Sequence, residues 1–187
     1  MIGNTPLKFV SSAKVLGIHI QQDLKWDVQI DHMYKNASRR LFMLRSLKRF
    51  GFNQTELITV YTGYLHPLLE YADSIWHSSI TAKQSRMLES IQRRACRIIL
   101  GLNYISYDNA LSVCNLEALS ARREAHCLKF ARSLSKSKRT CTLLPPSRKE
   151  VHGRQLRNDN DLSLLPVRTQ RFTRSPNPYY IQLLNSS

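Results

Sequence analysis

The spacing of apolar positions changes character twice along the chain. In Lys14-Val15-Leu16-Gly17-Ile18-His19-Ile20 the even positions 16, 18 and 20 are apolar, the alternation of a half-buried strand. A run at residues 7–10 reads as a partner strand, with Ser11-Ser12 as the turn between them. From Asp27, an acceptor suited to a helix start, the period becomes helical. Ile30, Tyr34, Ala37, Leu41, Leu44 and Leu47 recur every three or four residues, and Gly51 closes that helix near Phe50. Asn53 or Thr55 opens a second, carried by Leu57, Tyr61, Tyr64, Leu68, Ala72 and Ile75. Pro67 lies inside it and removes an amide donor, which predicts a kink or break near residues 63–67. A third helix is expected over about 81–101, with Met87, Leu88, Ile91, Ala95, Ile98 and Ile99 on one side and Gly101 as its stop. Shorter helical patterns cover about 107–115 and 117–135, the latter with Leu119, Cys127, Phe130, Ala131 and Leu134 on its apolar face.

Beyond Lys138 the periodicity fades. Residues 140–187 hold five of the seven prolines and polar runs such as Arg157-Asn158-Asp159-Asn160-Asp161. They read as an irregular or disordered tail that docks locally through Leu183-Leu184. The expected fold is therefore mainly α. It has a β-hairpin over 1–22, a helical region over 23–138 and an irregular tail over 139–187.

Charge sharpens this picture. The 187 residues carry 28 Lys+Arg against 13 Asp+Glu, a formal net charge of +15. The excess is +6 over residues 1–50, +1 over 51–100, +5 over 101–150 and +3 over the remainder. It lies mostly in the expected helices rather than in one basic tail. Such a surface attracts polyanions, and nucleic acid is the common one inside cells. No stretch approaches the apolar length of a membrane span, and no signal peptide opens the chain. The expected setting is intracellular, cytoplasmic or nuclear, with no membrane partner.

Arg86, Arg93 and Arg97 are seven and four residues apart, which sets them in one stripe of a helix, and Arg94 widens it. Guanidinium forks on a rigid helix suit phosphate. Glu89 alone balances these four arginines within the helix, which favours phosphate contact over a merely solvated face. Lys35, Arg39, Arg40, Arg45, Lys48 and Arg49 form a second basic set, and Arg122, Arg123, Lys129 and Arg132 a third. Tyr34, Phe42 and Phe50 beside the second set are candidates to stack on bases, but core packing is the favoured reading. Tyr71-Ala72-Asp73-Ser74 resembles the paired-aspartate box of reverse transcriptases. Ser74 stands in place of the second carboxylate and the segment reads as continuing a helix, so it is not a catalytic site. The six histidines show no metal-ligand spacing, the scattered glycines form no phosphate loop, and Cys96, Cys114, Cys127 and Cys141 read as reduced structural thiols. No cofactor, metal or catalytic set is expected.

The order of segments carries a resemblance. Lys14-Val15-Leu16-Gly17-Ile18, then Asp23-Leu24-Lys25-Trp26, then Ala37-Ser38-Arg39-Arg40-Leu41 resembles the stretch after the catalytic palm in non-LTR retrotransposon reverse transcriptases of the jockey, RTE and CR1-like kind. The likeness continues through Pro67-Leu68-Leu69-Glu70-Tyr71-Ala72 and Leu88-Glu89-Ser90-Ile91-Gln92-Arg93-Arg94-Ala95, then Leu116-Glu117-Ala118-Leu119, and into the tail at Leu143-Leu144-Pro145-Pro146 and Leu183-Leu184-Asn185. It implies a primer-grip-like strand pair at Leu16, Gly17 and Ile18, with thumb and post-thumb helices following. It also implies that the polymerase palm, its aspartates and the endonuclease lie upstream of Met1. On that basis the chain is not an enzyme by itself. It is expected to bind RNA or RNA/DNA duplex without catalysis, and an upstream palm domain is a further implied partner. The alternatives are a structural or interaction module, or a translated remnant without selected activity. Residues 14–50 also resemble an N-terminal segment of AlkB-type tRNA-modifying proteins, but the iron-binding motif of those dioxygenases is missing.

Overall fold

A computed structural model describes residues 9–137, 139–152 and 158–186, the His152 side chain excepted. Leu7 and Lys8 of the expected first strand lie outside these residues, as do Lys138 and Arg157. The chain is mainly α with an N-terminal hairpin, and it divides into two compact units. One comprises residues 1–69 and 80–104, the other 70–79 and 105–187.

In the first unit, β1 (Ser12–Val15) pairs antiparallel with β2 (Ile18–Gln21), Val15 facing Ile18 and Ser12 facing Gln21. The reversal therefore falls at Leu16-Gly17, not at Ser11-Ser12. Both turn residues have positive φ, +48° and +84°, the backbone of a two-residue hairpin loop that matches strand twist. Glycine accepts this readily, whereas leucine does so at a cost. Leu16 thus leaves the strand alternation and stands 86% exposed, while Ile18 is buried. The hairpin is tied down by the His19 amide, which donates to Gln29 Oε1 at 2.9 Å.

Helix α1 (Asp27–Arg49) buries Ile30, Met33, Ala37, Leu41 and Leu44. Asp27 is its first helical residue rather than its cap; Trp26 occupies the cap position without a side-chain bond. Helix α2 (Gln54–Val60) starts on a capping box in which Asn53 and Glu56 exchange bonds. The predicted kink is a π turn at Tyr61–Leu65, followed by α3 (His66–Glu70). Widening the helix here accommodates Pro67, which has no amide to donate and whose ring crowds the preceding turn. Helix α5 (Ala82–Leu100) carries a second capping box, Thr81 with Gln84.

Helices α1 and α5 lie side by side and run parallel. Near their starts Gln84 Nε2 donates to Asp27 Oδ1 at 2.8 Å. At mid-length Arg94 Nη1 donates to Ser38 Oγ at 3.3 Å. At their ends Lys48 Nζ donates to the carbonyls of Ile98 and Ile99 at 2.6 and 2.8 Å. An acid thus sits where both dipoles are positive and a cation where both are negative, which offsets the cost of parallel alignment. Lys48→Met is expected to lower stability by about 1 kcal/mol through loss of these carbonyl partners. A downward shift of the urea midpoint with unchanged m-value would report it; an unchanged midpoint would refute it.

In the second unit, α4 (Asp73–Trp76) follows Ala72, whose φ of +52° breaks the helix that the sequence suggested would continue to Ile75. Helices α6 (Tyr107–Cys114) and α7 (Leu119–Lys136) lie close to their expected bounds. The C-terminal segment is irregular over much of its length, with short helices α8 (Arg148–His152) and α9 (Gln170–Thr173), but it ends on α10 (Pro176–Ser186). Tyr180 of α10 joins Cys127, Ala131, Leu134 and Leu144 in one buried cluster, with Leu162, Leu183 and Leu184 packed against it. Asn185 completes the docking, its side chain bonding both the amide and the carbonyl of Leu162.

Candidate nucleic-acid interface

The parallel pairing of α1 and α5 joins two basic sets that are far apart in sequence. At 100° per residue, Lys35, Arg39, Phe42 and Arg49 fall within an arc of about 80° on α1, with Arg45 at its edge. Lys83, Arg86, Arg93 and Arg97 fall within a similar arc of about 80° on α5. All nine side chains are exposed. The buried faces of both helices point into the same core, and their mutual contacts run between them. The two exposed arcs therefore adjoin on the outer side of the pair. Asp31 pairs with Lys35 at 2.6 Å one turn away, an exposed ion pair weak enough for a phosphate to displace.

The expected site residues separate accordingly. Lys35, Arg39, Arg86, Arg93 and Arg97 come together on this surface. Arg94 is half-buried and reaches Ser38, so it ties the helices together at the edge of the surface. Arg40 lies on the opposite flank of α1, its guanidinium 4.4 Å from the centre of the Tyr64 ring. Arg97 is exposed and lies 5.1 Å from the Tyr104 ring. Leu16 and Gly17 form the hairpin turn, and Ile18 starts β2.

Arg122 and Arg123 belong to the second unit and are engaged within it. Arg122 makes a two-bond contact with Glu70, at 2.5 and 3.1 Å. Arg123 has no exposed surface; its Nε donates to His77 Nδ1 at 3.3 Å and its guanidinium lies 5.8 Å from the Trp76 ring. Arg123 is therefore a core residue and not a phosphate contact, because a fully buried guanidinium reaches no ligand at the surface. The sequence held the signal: residue 123 falls between Leu119 and Cys127 at four-residue spacing, on the apolar face of α7.

Around Arg123 lie the most perturbed titratable groups. Burial, helped by the Arg123 charge, pushes His77 down to about 4. Burial raises the Asp73 carboxyl, against a 2.7 Å hydrogen bond to His126 that pulls it down. Burial also pushes the Cys127 thiol up to about 12, so it stays protonated and is no nucleophile. Among the described residues, no group of three or more His, Cys, Asp or Glu side chains is placed to hold a metal ion. No described helix is long and apolar enough to cross a membrane.

The aromatic residues beside the basic sets depart from the core reading. Phe42 is 66% exposed and Phe50 81% exposed, while Tyr34 is half-buried. Phe42 has only Ser38, Arg39, Arg45 and Ser46 at three and four residues' distance, so no apolar neighbour along the helix could draw it inward.

Comparison with protein families, curated proteins and solved structures returned no match.

Proposed function

We propose that the outer surface of α1 and α5 binds the sugar-phosphate backbone of RNA or of an RNA/DNA duplex, without catalysis. One observation carries this reading: two parallel helices present Lys35, Arg39, Arg45, Arg49, Lys83, Arg86, Arg93 and Arg97 on adjoining exposed arcs. Rigid helices hold the cations in place before the ligand arrives, so less side-chain freedom is lost on binding. Phosphate contacts of this kind are indifferent to sequence and release counterions. The resemblance to the post-palm region of retrotransposon reverse transcriptases points to the same ligand class. On this reading the chain is the non-catalytic, backbone-holding part of a retroelement polymerase, its natural partners a template–primer and a palm domain.

Titration of the full chain with a mixed-sequence RNA at a series of salt concentrations tests the proposal. Affinity is expected to fall with a log–log slope of about −0.7 to −0.9 per neutralised phosphate. Replacing Arg86, Arg93 and Arg97 together by Ala is expected to reduce that slope by about two to three, with helicity retained. Absence of binding at low salt would overturn the proposal.

A further inference from the structure

The cationic surface on α1 is interrupted at its centre by an apolar ring. Phe42 is 66% exposed, and Lys35 and Arg49 lie seven residues to either side, with Arg39 and Arg45 three residues to either side. An aromatic residue left two-thirds in water among four cations buries little within its own fold, and the long side chains around it repel one another. Both features are unfavourable for the isolated chain, and one ligand class relieves both. A nucleobase offers a flat π-face for the ring, and the phosphates on either side of that base meet the cations.

Base pairing excludes such a contact. In a duplex both faces of each base are covered by its stacked neighbours, and only the phosphates reach a convex helix surface. We infer that the α1 surface selects unpaired nucleic acid, with Phe42 stacking on a splayed base while Lys35, Arg39, Arg45 and Arg49 hold the flanking phosphates. Every base has a π-face, so the selection is for single-strandedness and not for sequence. The inference rests on the backbone-binding reading and adds a preference to it: a duplex is held through its phosphates alone, whereas an unpaired strand gains the stacked base as well.

The test uses the full chain and two probes, a 20-nucleotide uridine oligomer and a fully paired 20-base-pair RNA duplex of mixed sequence. Phe42→Ala is expected to weaken binding of the oligomer by about five- to one-hundred-fold, the range for loss of one stacked base. Its affinity for the duplex should change by less than twofold. Phe42→Trp should retain or improve binding of the oligomer, and its added indole fluorescence should be quenched by the oligomer and not by the duplex. Because Phe42 is exposed, neither change is expected to disturb the fold, and unchanged circular dichroism and thermal midpoint would verify this. Equal losses on both probes, or no loss on either, would overturn the stacking role while leaving backbone binding intact. If the unaltered chain binds neither probe at low salt, both proposals fall together.

Discussion

Replacing Gln92 by Leu is expected to destabilise the first unit by roughly 2–5 kcal/mol, a large share of a domain's total. Gln92 lies on the buried side of α5, where its Oε1 accepts from Tyr61 Oη at 2.7 Å and from His66 Nε2 at 2.9 Å. All three residues are buried. One carbonyl oxygen has two lone pairs and here serves two donors, which fixes His66 as the tautomer protonated on Nε2. Tyr61 and His66 stand at the first residue of the π turn and just beyond its last, so a single glutamine ties both ends of the irregular segment to α5. Leucine has a similar volume but supplies no acceptor, so both donors lose the partner they share while remaining away from water. Each such loss costs about 1–3 kcal/mol.

Two measurements separate this from ordinary core damage. Amide hydrogen exchange over residues 61–66 should accelerate more than exchange in the middle of α1. In a double-mutant cycle, adding Tyr61→Phe to Gln92→Leu should cost less than Tyr61→Phe does alone, since the hydroxyl has already lost that acceptor. Additive effects, or a loss below 1 kcal/mol for Gln92→Leu, would show that the shared acceptor is not what secures the π turn.

Most of the helical plan was legible because it rests on local chemistry. Capping residues and apolar spacing placed α1, α5, α6 and α7 within a few residues, and Pro67 marked the disturbed turn. The features that were not legible depend on partners distant in sequence or on backbone states without a compositional marker. Ala72 adopts a left-handed conformation that alanine does not advertise, so the break before Asp73 was invisible. Leu16 does the same in the hairpin, where strand alternation pointed the other way. The parallel pairing of α1 and α5 rests on contacts fifty or more residues apart, and it is this pairing that turns separate basic sets into one surface. Phe42 and Arg123 are different: the spacing signal was present in both. Residue type outweighed position, placing an aromatic in the core and an arginine on the surface, and the fold reverses both.

Acidification from about pH 6.5 to pH 4 is expected to weaken the second unit by about 1–2 kcal/mol, and His77 is the group responsible. Arg123 can only donate, so the hydrogen bond from its Nε to His77 Nδ1 requires a neutral imidazole with that nitrogen unprotonated. Protonation would set a donor against a donor and a cation beside a cation, next to the ring of Tyr179 at 6.1 Å. Folded His77 accordingly titrates near 4, mainly through burial and secondarily through Arg123, whereas the unfolded side chain titrates near its ordinary 6.5. Between those values the unfolded chain takes up a proton that the folded chain refuses. Stability is therefore complete above 6.5 and declines as pH falls towards 4. The full linkage is about 3 kcal/mol; His77 is only half-buried, and solvent screening reduces it to about 1–2 kcal/mol. His32, also lowered by burial, belongs to the first unit and leaves this readout untouched. Asp73 acts in the direction opposite to His77, since a carboxyl raised by burial gains stability on protonation, and it offsets part of the loss. His77→Gln isolates the effect, because its carbonyl oxygen still accepts from Arg123 but does not titrate. The measurement is urea unfolding at pH 7, 5.5 and 4 in a Trp26→Phe background, where Trp76 is the remaining indole and reports the second unit. The dependence of stability on pH should flatten in His77→Gln by up to about 1.4 kcal/mol per pH unit, the value for one proton. An identical dependence in both proteins would assign the acid response to other groups.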